Sequence, residues 1–189
     1  AETGGVHLTA DGSIVDALNT DYTKIAANSL EMTATNGSIG QTGDYLEIDL
    51  AGSGTFTADA QGSIRLDETF GDMNVSRVKS KTGDVDLRAA ISIFDTLNSP
   101  LPEIIGNNIT LTAELGGIGV SGNDIDINSA YSGAGVLTSS SLFGNTYIIE
   151  TDGNAGTLDN LSVNTLSTGA GNTVFLTAPE GSIVNSRTD

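Results

Sequence analysis

Cysteine and tryptophan are absent from this chain of 189 residues, and only 5% of its residues are aromatic. Without cysteine there is no disulfide framework, no thiol nucleophile and no cysteine-based zinc site. A globular domain normally packs some bulky rings into its interior, whereas Val, Ile, Leu and Ala suffice to fill a narrow core. The composition therefore favours a slender interior.

Proline is scarce, with 3 residues, whereas glycine is abundant, with 24. This balance predicts many tight turns between segments whose backbone N–H groups are needed for hydrogen bonds. No stretch approaches the ~18 apolar residues of a membrane span, and no signal peptide opens the chain. We interpret the chain as a mature or excised fragment and expect no membrane insertion.

Basic residues number 7 against 24 acidic ones, which gives a formal net charge of −17. Nucleic acids and anionic membrane surfaces are bound through Lys and Arg, so this charge argues against both partners. Five basic residues fall within one short span: Arg65, Arg77, Lys79, Lys81 and Arg88. We interpret them as a solvated strand face, and a local basic patch is the alternative.

Histidine occurs once, at His7 between Val6 and Leu8, and no Gly-x-Ser-x-Gly motif is present. We expect His7 to face the solvent, so no Ser-His-Asp triad is predicted and the chain is not expected to be an enzyme. Acidic residues are numerous enough to supply the carboxylate pair of a polysaccharide hydrolase or lyase. This alternative is disfavoured because aromatic platforms for sugars are few.

One pattern recurs along the chain: two apolar residues separated by one position, then alanine, a short turn, and Gly-Ser-Ile or a variant of it. The alanines Ala10, Ala34 and Ala58 follow one another at an interval of 24 residues, and Ala89 and Ala113 repeat that interval. The copies lie in residues 6–14, 30–39, 54–64, 85–93, 109–118 and 174–183. A longer match pairs residues 70–78 with 158–166, position for position.

The alternation within each copy is that of a β-strand with one buried face, because successive side chains point to opposite sides. The predicted inward residues are Leu30, Met32, Phe56, Val85, Leu87, Ile109, Leu111, Val174 and Leu176. Asp86, Arg88 and Thr110 are predicted to point outward. A fixed period favours stacked coils over a β-sandwich, which has no reason to repeat its sequence.

The predicted fold is an all-β parallel β-helix (a β-solenoid) of roughly eight coils, formed by residues 1–189 as one segment. The Gly-Ser-Ile element is expected to turn a corner of each coil and to send Ile14, Ile39 and Ile64 inward.

The region 119–157 matches the repeat poorly, and a loop insertion is predicted there, around residues 128–146, with residues 139–141 assigned to the loop. Strands are expected at 125–127 and 147–149 within this region. Residues 99–102, which contain two prolines, are predicted to form another loop.

Two segments resemble a known family, namely Val75-Ser-Arg-Val78-Lys-Ser-Lys-Thr-Gly83-Asp-Val85-Asp-Leu87-Arg-Ala89-Ala-Ile-Ser92-Ile93 and Asn108-Ile-Thr-Leu-Thr-Ala113. They resemble the repeats of filamentous-haemagglutinin-type bacterial adhesins and of the giant secreted repeat proteins of aquatic bacteria. The resemblance covers most of the chain outside 119–157. It implies a right-handed β-helix, secretion to the bacterial cell surface or extracellular matrix, and a role as a structural stalk or scaffold of a large adhesin or filament. The family's secretion domain and Asn-rich signature are not visible here.

A carbohydrate- or surface-binding module is the alternative function, with its ligand site expected in 119–157 because loops on a rigid scaffold commonly carry recognition. Surface glycans are the partner that this alternative implies. For the stalk, the expected partners are neighbouring coils of the same parent protein or copies of this segment stacked end to end. Uncapped solenoid ends expose strand edges and open core, and no cap is recognisable at either end of the sequence.

Four aspartates are candidates for binding calcium, the one cofactor that the sequence suggests: Asp44, Asp84, Asp124 and Asp152. Each lies in a turn that contains Gly or Asn, and turns supply the carboxylate and carbonyl oxygens that calcium prefers. Neither an EF-hand loop nor the Gly-Gly-x-Gly-x-Asp repeat of calcium-binding β-rolls is present. Solvated turn aspartates are therefore the favoured interpretation.

Overall fold

The computed structural model describes residues 4–129, 131, 135–151 and 160–187, and every regular element in this part of the chain is a β-strand. The strands are β1 Gly5–Ala10, β2 Ile25–Ala34, β3 Leu46–Ala60, β4 Ile64–Glu68, β5 Met73–Ser80, β6 Val85–Ala89, β7 Ile93–Asp95, β8 Ile104–Ile105, β9 Ile109–Ala113, β10 Ile125–Asn128, β11 Leu137–Ser141, β12 Thr146–Glu150, β13 Leu161–Thr168, β14 Val174–Thr177 and β15 Ile183–Asn185. The described residues contain no helix long and apolar enough to cross a bilayer.

All pairings between these strands are parallel, and the chain winds into a β-solenoid of about seven turns. One inward column, which we call the isoleucine ladder, runs along its length. Its successive rungs are Ile14, Ile39, Ile64, Val85, Ile109, Leu137, Val163 and Asn185. The predicted all-β parallel solenoid is thus confirmed, while the exact number of coils, predicted as roughly eight, stays a prediction. Its right-handed sense stays a prediction.

The core consists of the inward side chains of consecutive coils. Of the nine residues predicted to point inward, seven are at most 2% exposed: Leu30, Met32, Phe56, Val85, Leu87, Ile109 and Leu111. Val174 and Leu176 are half-buried because β14 is the last strand of its column. The predicted outward residues Asp86, Arg88 and Thr110 alternate with buried neighbours in β6 and β9, so the predicted register is confirmed.

At several corners, a polar side chain that immediately precedes an inward apolar residue accepts a hydrogen bond from the neighbouring coil. The Ser13 hydroxyl accepts a hydrogen bond from the backbone N–H of Ser38, and the Ser63 hydroxyl accepts one from Asp84 N–H. Further along the chain, the Asn108 side-chain oxygen accepts from Val136 N–H. Each such bond joins equivalent positions of neighbouring coils. The Gly-Ser-Ile element therefore does turn a corner and send its isoleucine inward.

The repeat does not keep to one side of the solenoid. Leu30-x-Met32-x-Ala34 stacks on β3, and the Ile39 that follows it belongs to the isoleucine ladder. In the copy at 85–93, however, the first apolar residue is itself a rung of that ladder. The motif therefore marks a strand, a corner and the next strand, whichever side of the coil they occupy.

The interval of 24 residues between alanines corresponds to stacked pairs in two places and not in a third. Ala10 pairs with Ala34, and Ala89 pairs with Ala113, as the interval of 24 predicts. Ala34, however, pairs with Ala60, whereas Ala58 pairs with Met32. The register of β2 on β3 shifts between Ala27 and Ser29, and this irregularity lengthens the coil.

The longer match between 70–78 and 158–166 is reflected in a shared backbone irregularity. Strands β5 and β13 both contain eight residues. The pairing of β5 with β3 skips Ser76, and the pairing of β13 with β11 skips Asn164, which is the matching position. Repetition of a bulge at the same place shows that these two segments are structural equivalents.

The loop insertion predicted around 128–146 is too long, and its assignment at 139–141 is wrong. Leu137–Ser141 forms β11, which pairs with β9 and β13 and buries Ser139 and Ser141 completely. Serine is a polar residue, so the sequence suggested a loop, but these two serines occupy inward positions and stack on Leu111 and Ala113. The strands expected at 125–127 and 147–149 are present as β10 and β12. Residues 99–102 lie between β7 and β8, as predicted for a loop.

Substitution of a corner glycine tests how tightly the coils pack. A Cβ atom at Gly83 would lie 2.6 Å from both the backbone N and the hydroxyl oxygen of Ser63 in the neighbouring coil. We expect Gly83→Ala to destabilise the fold by about 1–3 kcal/mol in urea unfolding. Gly12 occupies the same corner in the first coil, and a Cβ there would meet nothing within 4 Å. Gly12→Ala should therefore stay within about 0.5 kcal/mol of the unsubstituted protein, and equal effects of the two changes would contradict this account.

Candidate functional site

The least expected feature of the interior is its set of buried carboxylates. Glu47, Glu68, Asp95, Glu103 and Glu150 are each at most 5% exposed. Sequence analysis missed them, although a signal was present for some. Glu68 follows Ile64 and Leu66 at the same alternation, and Asp95 follows Ile93. Buried carboxylates are costly unless they are hydrogen-bonded or paired with a cation, so each needs a partner.

Three carboxylates meet where one coil passes over the next. Asp95 is the last residue of β7, Glu103 directly precedes β8, and Asp126 lies in β10. Strands β7 and β8 both stack on β5, whereas β10 stacks beneath β8 in the following coil. Each residue offers a carboxylate oxygen that lies within 4.8 Å of those of the other two. We call this group the acidic corner.

The loop between β7 and β8 is folded around the acidic corner. The Asp95 carboxylate accepts backbone hydrogen bonds from Leu97 N–H at 2.7 Å and Asn98 N–H at 2.6 Å. The Ser99 hydroxyl donates to Glu103 Oε1 at 2.9 Å. The loop therefore supplies three hydrogen-bond donors to the corner.

Negative charge accumulates at the acidic corner without a basic partner. Burial, together with the charges of Asp95 and Asp126, raises the pKa of Glu103 to about 7, although the hydrogen bond from Ser99 opposes the shift. Burial also raises the pKa of Asp126 to about 7, together with the charges of Asp95 and Asp124. Two ionised carboxylates at 4.8 Å repel by about 3 kcal/mol at an effective dielectric constant of about 20. None of the ion pairs among the described residues involves these groups.

Two oxygens at this place are enclosed and receive no hydrogen bond: Glu103 Oε2 and Asn123 Oδ1. Glu103 is only 2% exposed. The Asn123 amide is adjacent because its Nδ2 donates to the backbone carbonyl of Asp95 at 2.9 Å. Buried oxygens without donors are rare in folded proteins. A cation is the ligand that this collection of oxygens would hold.

The four aspartates proposed from the sequence as calcium candidates have separate surroundings. Asp44 is buried and accepts from the Gln41 side chain at 3.0 Å. Asp84 accepts from the backbone and side chain of Asn108. Asp124 stands outside the acidic corner, and its charge raises the pKa of Asp126. Asp152 lies outside the described residues.

Glu68 shows how a single buried carboxylate is accommodated by backbone donors. It is fully buried and accepts hydrogen bonds from Leu50, Phe70 and Gly71 N–H at 2.8–3.2 Å. Burial raises its pKa to about 7 even though these three bonds oppose the shift. Glu68 therefore resembles Glu103 in burial and pKa but has donors instead of neighbouring carboxylates.

An outward column of aromatic residues forms a second feature of the surface. The column contains Phe94, Gly119, Tyr147 and Phe175 on consecutive coils. The rings of Tyr147 and Phe175 are stacked, with centroids 4.7 Å apart and planes 6° from parallel. Gly119 interrupts the column with a positive φ of 64°.

The interruption at Gly119 creates a slot between two rings. Phe94 and Tyr147 stand two coils apart, which corresponds to about 9.6 Å at the usual strand spacing. Ser92, Ser121 and Asn145 also line the depression, so polar groups accompany the aromatic walls. Such a combination is typical of sites for small ring-shaped ligands.

The remaining polar residues singled out from the sequence lie on the surface. His7 is exposed, and its Nδ1 lies 2.9 Å from Glu31 Oε2. Of the five basic residues, Arg65 lies in β4 and Arg88 in β6, and these two strands stack together. Arg77 and Lys79 lie in β5, which belongs to a different stack, and Lys81 directly follows β5. Lys81 pairs with Asp59 at 3.0 Å, and Arg88 pairs with Glu114. They therefore do not form one basic patch.

Comparison with known proteins finds no matching family model, no similar curated protein and no similar solved structure.

The raised pKa of Glu68 predicts how stability depends on pH. Its folded-state pKa of about 7 exceeds the ordinary value of 4.5, so the folded protein retains a proton that the unfolded chain has lost. Stability should therefore fall as pH rises through this range, by up to about 3 kcal/mol. Glu68→Gln has no such proton and should gain relative to the unsubstituted protein between pH 5 and pH 8 in urea unfolding. An equal difference in unfolding free energy at both pH values would show that the pKa of Glu68 is not raised.

Proposed function

We propose that this chain is a structural stalk or scaffold segment of a large secreted bacterial surface adhesin or extracellular filament. The observation that supports this proposal best is the isoleucine ladder, which continues through every coil. A fold whose coils contact only their neighbours grows in length without changing its cross-section, which is the property that a stalk needs. The resemblance of residues 75–93 and 108–113 to filamentous-haemagglutinin-type repeats points in the same direction.

The two ends of the solenoid offer surfaces for further stacking. Among the described residues, strand β1 pairs with β2 alone, and β15 pairs with β13 alone. Ile183 continues the inward column of Leu161, which is fully buried, yet Ile183 is 50% exposed. Further coils of a parent protein or a second copy of this chain would cover these residues. The net charge of −17 would keep the sides of neighbouring rods apart, so contacts at the ends are favoured.

End-to-end stacking predicts concentration-dependent association that depends on the inward residues of β15. Sedimentation velocity of the intact chain should show species larger than a monomer as concentration rises. Ile183→Lys should suppress them because a stacked coil would bury the new charge. Val184→Lys adds the same charge at the outward neighbour, which pairs with Ser162, and should leave association unchanged. A monomer at all concentrations in moderate salt would exclude stacking between copies.

Carbohydrate binding is the second candidate function, and the slot at Gly119 is the observation that favours it. The faces of Phe94 and Tyr147 would pack against the apolar C–H groups of a sugar ring, while the neighbouring polar groups would bind its hydroxyls. The slot lies on the outward face of the coils, so a sugar could bind there without rearrangement of the core.

A glycan array and a panel of polysaccharide substrates separate these functions. Glycan binding without turnover would support the binding module, turnover would support an enzyme, and neither would support the scaffold. If glycans bind in the slot, Tyr147→Ala should reduce affinity by about tenfold or more, since one of two stacking faces is lost. Phe70→Ala removes a ring that is 71% exposed and outside the column, and it should leave binding unchanged.

A further inference from the structure

We propose that the acidic corner binds one Ca²⁺ ion, held by Asp95, Glu103 and Asp126. This site does not include the turn aspartates suggested by the sequence, and it does not depend on the function proposed above. The ion would connect two consecutive coils, because Asp95 and Glu103 belong to one coil and Asp126 to the next.

The spacing of the carboxylates fits a calcium ion. Calcium binds oxygen at about 2.3–2.6 Å, so ligands on opposite sides of the ion are about 4.6–5.2 Å apart. The oxygens of Asp95, Glu103 and Asp126 all lie within 4.8 Å of one another. One ion can therefore contact all three. Magnesium requires about 2.0–2.1 Å and near-octahedral geometry, which three carboxylates on separate backbone segments would meet less readily.

The enclosed oxygens without donors are the second, independent sign of a ligand. Glu103 is 98% buried, and its Oε2 receives no hydrogen bond although its carboxyl group faces Asp95 and Asp126. Asn123 Oδ1 is likewise enclosed without a donor, next to Asp95. Carboxylate and amide oxygens are both ligands that calcium accepts.

Comparison with Glu68 shows that the acidic corner has too few hydrogen-bond donors for its carboxylates. Glu68 has three backbone N–H donors for a single carboxylate. The acidic corner has three donors, from Leu97, Asn98 and Ser99, for three carboxylates. The remaining negative charge is therefore left for a cation. Raised pKa values at the corner agree with this shortage, because protons are the alternative cations.

An ion has a route to the site from the surface. A groove lined by Arg77, Leu97 and Leu101 also has Ser99 and Glu103 in its wall. Arg77 is exposed in this groove, and the ion pairs of the described residues do not include it. The Arg77 guanidinium therefore does not neutralise the carboxylates of the acidic corner.

The test measures Ca²⁺ binding by the intact chain in about 150 mM NaCl, which screens the general attraction of cations to an acidic protein. Isothermal titration with CaCl₂ should give one ion per chain. The melting temperature should be higher in CaCl₂ than in EDTA, because a ligand that binds only the folded state stabilises it. Glu103→Gln and Asp126→Asn should each weaken binding by about tenfold or more.

Glu68→Gln is the matched control, since it removes an equally buried carboxylate with a similar pKa away from the corner. This variant should keep the full response to CaCl₂. In EDTA, Asp126→Asn should melt at a higher temperature than the unsubstituted protein, because a repelling charge is gone, and this result also shows that the variant is folded. The proposal is overturned if the unsubstituted protein melts at the same temperature in CaCl₂ and EDTA. It also fails if Glu68→Gln loses the response as fully as Glu103→Gln, and an equal effect of MgCl₂ overturns the assignment to calcium.

Discussion

Parallel hydrogen bonding between consecutive coils decides which residues lie above one another throughout this molecule. Ile39 N–H donates to the carbonyl of Ser63, and Ile64 N–H donates to that of Asp84 in the next coil. Because the pairing is parallel and in register, equivalent positions of successive coils stack in columns. The free energy that each column contributes therefore depends on the type of residue that occupies it. Apolar columns gain burial with every coil. At a tight corner such as Gly83, a side chain larger than glycine would collide with the neighbouring coil, and carboxylates that lie together on neighbouring coils repel one another.

The sequence predicted the direction of side chains better than the partners of those side chains. Alternation identified the inward residues of β6 and β9 because a period of two depends only on local geometry. The same alternation could not detect that Ala34 stacks on Ala60 rather than Ala58, because a slip of two residues leaves every side chain on its own side. Coil length itself varies, from 20 residues between Met73 and Ile93 to 28 between Ile109 and Leu137, so a constant period misplaces equivalents.

The acidic corner could not have been found from the repeat for the same reason. Asp95 alternates with Ile93, so its burial was open to prediction. Glu103 reaches Asp95 only through the loop at 96–102, which lies between β7 and β8. Asp126 reaches Glu103 only because Ile104 pairs with Ile127, at an offset of 23 residues rather than 24. Local alternation thus predicts an inward Asp95 and an outward Asp126, between Ile125 and Ile127. The meeting of the carboxylates depends on the loop and on the register between coils.

The acidity of the chain has different consequences on the outside and at this corner. Outward acids are hydrated and screened by salt, so they act mainly between molecules, where they keep the sides of rods apart. Interior acids are screened little, and their repulsion opposes the pairing of the two coils that carry them. A divalent ion at the corner would replace this repulsion by attraction, because carboxylates that bind the same ion would hold β7, β8 and β10 together. The free energy that joins these coils would thereby depend on cation concentration, whereas the apolar columns on either side, which carry no charge, would be unaffected.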